Sequence, residues 1–114
     1  MFSSPSYAKW TKTGENAKGN TYYVDFERMR KVDGYVYFWE LTDFLKPDEW
    51  GSLSVKGYLQ GDCKLFRVKN LSYSFHNEPM GGGTGETFNL KNPEWKYPTP
   101  NSVGETTLKQ VCSR

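Results

Sequence analysis

The residues of this chain best suited to chemistry are two thiols, Cys63 and Cys112, and a single imidazole, His76. A thiol beside an imidazole can serve as a nucleophile, because the base generates the reactive thiolate. Neither cysteine has a sequence context that suggests such a pair. Zinc is no better served: there is no Cys-x-x-Cys, and the nitrogen and sulfur ligands are too few and too scattered for a four-coordinate site. The remaining chemistry is a bond between the two sulfurs. Two cysteines permit one intramolecular disulfide. It would close a loop of about 50 residues and contribute roughly 4 kcal/mol through chain entropy, a large share for a small domain. The alternative is a pair of unbonded thiols acting as small hydrophobes. The disulfide between Cys63 and Cys112 is the expectation, and it points to a secreted or periplasmic module.

Charge offers a second kind of chemistry. Arg28, Arg30 and Lys31 form the densest basic cluster and are the candidate partner-binding residues, suited to an acidic protein surface or a sulfated polysaccharide. The plainer reading is a solvated hairpin end whose charges discourage edge pairing. Lys64, Arg67 and Lys69 interleave with Phe66, Tyr73 and Phe75, a mixture that could hold single-stranded nucleic acid. No RNP-type signature accompanies them, and the net charge is only +2, so nucleic acid is not an expected partner. Gly81–Gly85 lacks the lysine of a phosphate-binding loop and is expected to be mobile. His76 with Asn77 and Glu78 could host acid–base work, but a lone, surface-exposed histidine at a strand end usually has no such role. No catalytic, cofactor-binding or metal-binding residue is expected. Trp10, Trp39, Trp50 and Trp95 are all expected in the core or at its rim, Trp39 and Trp95 foremost in the core, and one or two left exposed would be anchors for a protein partner.

These residues must be positioned by a small set of elements. Ser6–Lys12 reads as a first strand and Thr13–Asn20 as a turn. Tyr22, Val24 and Phe26 alternate with polar neighbours, the period of a half-buried strand that continues to Lys31. Asp33-Gly34 marks a hairpin, since its turn needs positive φ. The return strand, Tyr35–Phe44, is apolar on both faces and is expected at the centre of the sheet. Leu53–Phe75 reads as one long bent hairpin, or two, with Cys63 in its strand-like part. Gly57 and Gly61 mark bulges or close approach, and a change of parity predicts a bulge near Lys69-Asn70. Thr87–Leu90 is a short strand and Trp95–Pro100 is extended. Ser102 and Glu105 form a capping box that opens a short helix, whose apolar stripe is Leu108, Val111 and Cys112. The 114 residues are expected to form one α+β domain, residues 1–114. Only 36% of them are hydrophobic, but 17% are aromatic, and aromatics bury much area each. No stretch is long and apolar enough to cross a membrane. Met1–Asn20 has no apolar signal core, so either the protein stays inside the cell or its export signal has been removed; the two cysteines make export with the signal removed the expectation.

Several pieces in order resemble the bacterial surface-adhesin E family. They are Tyr22-Tyr23-Val24-Asp25, Val36–Asp43, Asp62-Cys63 with the Arg67–Ser74 strand, Pro79-Met80-Gly81 with Gly83, Trp95–Pro98, Pro100-Asn101-Ser102 and Cys112. The resemblance implies an antiparallel sheet of about six strands with a C-terminal helix tied on by a disulfide. It also implies export, often to the cell surface, adhesion to extracellular-matrix and serum proteins, and an ability to form homodimers. The combined expectation is an exported, non-enzymatic module that binds a protein or polysaccharide at the envelope or outside the cell. The alternatives are a small periplasmic enzyme or enzyme inhibitor using His76 and the glycine loop, or a single-strand nucleic-acid binder.

Overall fold

The computed structural model describes residues 9–114. Among them seven strands form one antiparallel sheet, β1 (Thr11–Glu15), β2 (Thr21–Val24), β3 (Arg30–Val32), β4 (Tyr35–Asp43), β5 (Ser54–Asp62), β6 (Arg67–His76) and β7 (Gly85–Asn89), followed by helix α1 (Val103–Cys112). The strand order is β1-β2-β4-β5-β6-β7, with β3 beside β4 along the same margin as β2. The expected α+β architecture, a sheet of about six strands with a C-terminal helix, is present.

Most boundaries agree with the sequence reading, and the departures have local causes. The expected first strand, Ser6–Lys12, falls partly outside the described residues; the observed strand starts at Thr11 and extends into the expected turn as far as Glu15. The strand expected from Tyr22 to Lys31 is interrupted. At Asp25 the chain leaves the sheet for a short 3-10 turn, Phe26–Arg28, and returns at Arg30. Asp25 is 1% exposed and its carboxylate lies 3.5 Å from Arg28 Nε. The detour lets the two halves pair with different stretches of β4, Glu40–Asp43 and Tyr35–Tyr37. Asp33 and Gly34 both have positive φ, 51° and 82°, as the tight hairpin requires. β4 is central, with β5 along its other margin.

The β5–β6 hairpin carries the predicted bulge. Tyr58 pairs with Ser72 and Leu59 with Asn70, which leaves Leu71 as the extra residue. Cys63 is not within a strand. It sits in the turn after β5, where the Asp62 carboxylate accepts from the Lys64 and Leu65 amides and from Arg67 Nε at 3.1, 3.1 and 3.0 Å. These contacts, the Leu65 amide foremost, hold the Asp62 pKa below the usual carboxylate range.

The helix begins as predicted: Ser102 Oγ accepts from the Glu105 amide at 3.2 Å. The return arm reaches one residue further back, where Glu105 Oε1 accepts from the Asn101 amide. Thr107, Leu108 and Val111 turn into the sheet, and Val111 joins Val24, Val36, Phe38 and Leu59 in the core. Burying each such side chain contributes about 1.5–3 kcal/mol. Gly61 makes room for the helix, since a Cβ there would stand 2.9 Å from Val36 and 3.3 Å from Leu108. The Thr13 and Thr107 hydroxyls meet at 2.9 Å, and Gln110 Nε2 donates to the Thr13 carbonyl. Cys63 and Cys112 are bonded, with their Cα atoms 5.6 Å apart, so the helix end is tied to the β5–β6 turn.

Candidate interaction surface

The second face of the sheet, away from the helix, has two halves. One is closed by the glycine-rich segment, which is not the mobile loop expected. Residues Pro79–Gly81 form a 3-10 turn lying over Leu41. Ser54 Oγ donates to the Glu78 carbonyl at 2.7 Å and accepts from the Gly81 amide at 2.8 Å, while the Met80 amide donates to Asp43. His76, expected at the surface, is 4% exposed, with Nε2 2.8 Å from Ser74 Oγ. Burial, with the Lys56 ammonium second, lowers its pKa and favours the neutral ring. The histidine and the glycines serve packing.

The other half of this face is open and carries aromatic rings among cations. Strand alternation places Tyr35, Tyr37 and Trp39 of β4 and Lys56, Tyr58 and Gln60 of β5 on it. Tyr58 sits between two rings, 4.7 Å from Trp39 and 6.2 Å from Tyr37 by centroids. Arg30 donates from Nη2 to the Tyr58 hydroxyl at 3.1 Å, a contact that raises the arginine pKa further. Lys69 ends the register row Arg30–Tyr37–Gln60–Lys69. A single bridge between Val68 and Lys96 brings the C-terminal extended segment alongside β6. It sets Trp95 on Tyr35 at 5.8 Å, with the Arg67 guanidinium 4.3 Å and the Lys69 ammonium 4.4 Å from the Trp95 ring centre. Each such cation–ring contact contributes about 0.5–1 kcal/mol when exposed. At the far end, Trp10, Asp25, Arg28, Trp39 and Lys56 line a hollow of about 140 Å³.

The structure divides the predicted basic cluster. Arg28 and Arg30 lie on the open aromatic face, whereas Lys31 points to the helix side and donates to the Arg114 carbonyl. It also separates the second mixed cluster. The Leu71 bulge leaves Tyr73 and Phe75 on the helix side and Arg67 and Lys69 opposite, with Lys64 exposed in the turn. Trp39 and Trp95, expected in the core, are half-buried members of the open face. Trp50 is the exposed tryptophan, at 79%. Sequence reading missed Tyr58 and Lys56 as surface residues. Their alternation with Val55, Gly57 and Leu59 carried that signal, once β5 is paired with the Tyr35–Trp39 face.

Among the described residues no group of His, Cys, Asp and Glu could hold a metal ion, and no helix is long and apolar enough to cross a membrane. No curated protein matches the chain by sequence. Solved structures do match it. Crystal form II of Haemophilus influenzae protein E superposes with a TM-score of 0.72 at 16% identity, covering 95% of this chain and 90% of that one. The selenomethionine form of the same protein gives 0.71 at 16% identity, with 95% and 88% covered. Protein E from non-typeable Haemophilus influenzae gives 0.61 at 17% identity, with 97% and 77% covered. At these identities the likeness is one of fold. The family model for surface-adhesin protein E matches residues 10–113, nearly the whole described chain, and the protein therefore belongs to the surface-adhesin protein E family.

Proposed function

We propose that this protein is an exported, non-enzymatic adhesin that holds an anionic protein or polysaccharide on the open aromatic face of its sheet. Family membership supports the adhesin-like surface role. The observation that carries the choice of face is the array of half-buried rings, Tyr37, Trp39, Tyr58 and Trp95, with Arg67 and Lys69 over Trp95 and Arg30 bonded to the Tyr58 hydroxyl. Rings with few rotatable bonds supply contact area at low entropic cost, and the cations add attraction for negative partners and speed their capture. Arg67 is already paired with Asp62 at 3.0 Å, so Arg30 and Lys69 are the cations to test, with Arg28 at the margin. Lys31, on the other side of the sheet, serves as the internal control.

The test is retention of the protein on immobilised heparin and on immobilised poly-glutamate at low salt. The double variant Arg30→Glu/Lys69→Glu should elute at markedly lower salt with unchanged melting temperature, and Lys31→Glu should keep parental retention. Parental retention of the double variant on both supports would refute the choice of face.

A further inference from the structure

Helix α1 covers only part of its own face of the sheet. It packs on Gly14 and Thr13 of β1 and over Gly61 of β5. Towards β6 and β7 the same face is open. There the register row runs Val24–Glu40–Gly57–Tyr73–Phe88. Because Gly57 places no side chain beside Glu40, a trough of about 250 Å³ opens between the carboxyl group and the Tyr73 ring, walled by Val55 and Phe75. Beyond Tyr73 and Phe75, whose rings meet edge to face at 5.5 Å, lies a second hollow of about 510 Å³ between Trp50 and Phe88. Glu40 and Glu86 are the charged residues of the two linings, and both are acidic.

Glu40 has no hydrogen bond or ion pair with another described residue. Burial pushes its pKa up to about 7. Of the two strands beside it, β2 offers Tyr22 and β5 offers no titratable group, only Val55, Gly57 and Leu59; Tyr73 reaches it from β6, across Gly57. Thr42, Asn70 and Ser72 also line the trough, but no cation of the described chain pairs with this partly exposed carboxylate, and a charge left uncompensated beside largely apolar walls is costly.

We propose that the trough receives a lysine or arginine side chain of a partner polypeptide, with its cation paired to Glu40 and its stem against Val55 and Tyr73. The charge and the apolar walls suit a side chain that lays methylenes along apolar surface and presents a charged tip. The trough is smaller than the usual small-molecule pocket of about 300–1,000 Å³, and it suits one long side chain. Adjacent strands lie about 4.8 Å apart, so β4 to β7 spans about 14 Å. An extended peptide covers that distance in about four residues. The same partner segment can therefore place an apolar residue in the hollow between Trp50 and Phe88. This site lies on the opposite face from the cationic one, so each reading stands or falls without the other.

The experiment is titration of the ¹⁵N-labelled full chain with acetyl-Phe-Ser-Gly-Ser-Lys-amide at about pH 8, above the Glu40 pKa. Saturable amide shifts should centre on Glu40, Gly57, Tyr73 and Phe88. Replacing the peptide lysine with norleucine should weaken binding about tenfold, and Glu40→Gln, shown folded by its amide spectrum, should abolish that discrimination. Equal binding of the norleucine peptide, lysine preference retained in Glu40→Gln, or no saturable shifts at millimolar peptide would overturn the proposal. So would n-hexylammonium binding as tightly as the peptide, since the occupant would then be a free amine.

Discussion

Replacing Glu40 with Gln tests the electrostatics of the trough through folding alone, without any partner. The parent carboxyl group has a pKa of about 7 when folded, raised by burial from its ordinary 4.5. Between those values the folded protein holds a proton that the unfolded chain has released. Stability must then fall as pH rises, because the unfolded state binds fewer protons. Below pH 4.5 both states are protonated and the penalty vanishes; above about 7 it is fully present. At about 1.4 kcal/mol per pH unit the full penalty is roughly 3 kcal/mol, and the partial openness of the trough reduces it to about 2 kcal/mol. Glutamine cannot ionise, so the variant should gain about 2 kcal/mol over the parent between pH 4.5 and pH 8. Urea unfolding followed by tryptophan fluorescence measures this directly at each pH. Two stability curves that stay parallel across the range would show that Glu40 is well solvated, and the reasoning about the trough would fail.

Removing the bridge with Cys63→Ala/Cys112→Ala should cost about 3–4 kcal/mol in chemical unfolding, and hydrogen exchange should show α1 losing protection before the strands. Ser102→Ala removes the oxygen that accepts from the Glu105 amide; a loss of about 1 kcal/mol is expected, and no loss would mean that another group caps the helix. Gly85→Ala would bring a Cβ within 2.6 Å of the His76 ring and 2.7 Å of the Phe75 carbonyl. Thermal melts should show a destabilisation of about 1–3 kcal/mol, relieved in part when His76 is also shortened to Ala.

Elements that announce themselves through local chemistry were legible in the sequence. The Asp33-Gly34 turn, the centrality of β4, the bulge beside Asn70 and the Ser102 cap each depend on a few adjacent residues. The staple was legible because two cysteines allow only one bond. What escaped depends on residues distant in sequence. The glycine-rich segment looks mobile when read alone, and only Ser54 and Asp43, more than twenty residues earlier, pin it to the sheet. Arg28, Arg30 and Lys31 are near neighbours in sequence, but Arg30 and Lys31 alternate across the sheet, so they do not act as one patch. The Glu40 trough needs three strands in register before a glycine on one exposes a carboxylate on the next.

The bond between Cys63 and Cys112 also fixes how the molecule carries tension. A pull applied between β1 and the chain's last residues enters at Cys112 and crosses the sulfurs to Cys63. It then runs back through β5 and β4, bypassing β6, β7 and the body of α1. The 49-residue separation corresponds to about 170 Å of extended chain that stretching cannot release while the bond is intact. Under flow, Lys69 and Trp95 are thereby spared the load, while Arg30, Tyr37, Trp39 and Tyr58 stand on the strands that carry it, so a partner spanning the open face would feel the pull along one side only.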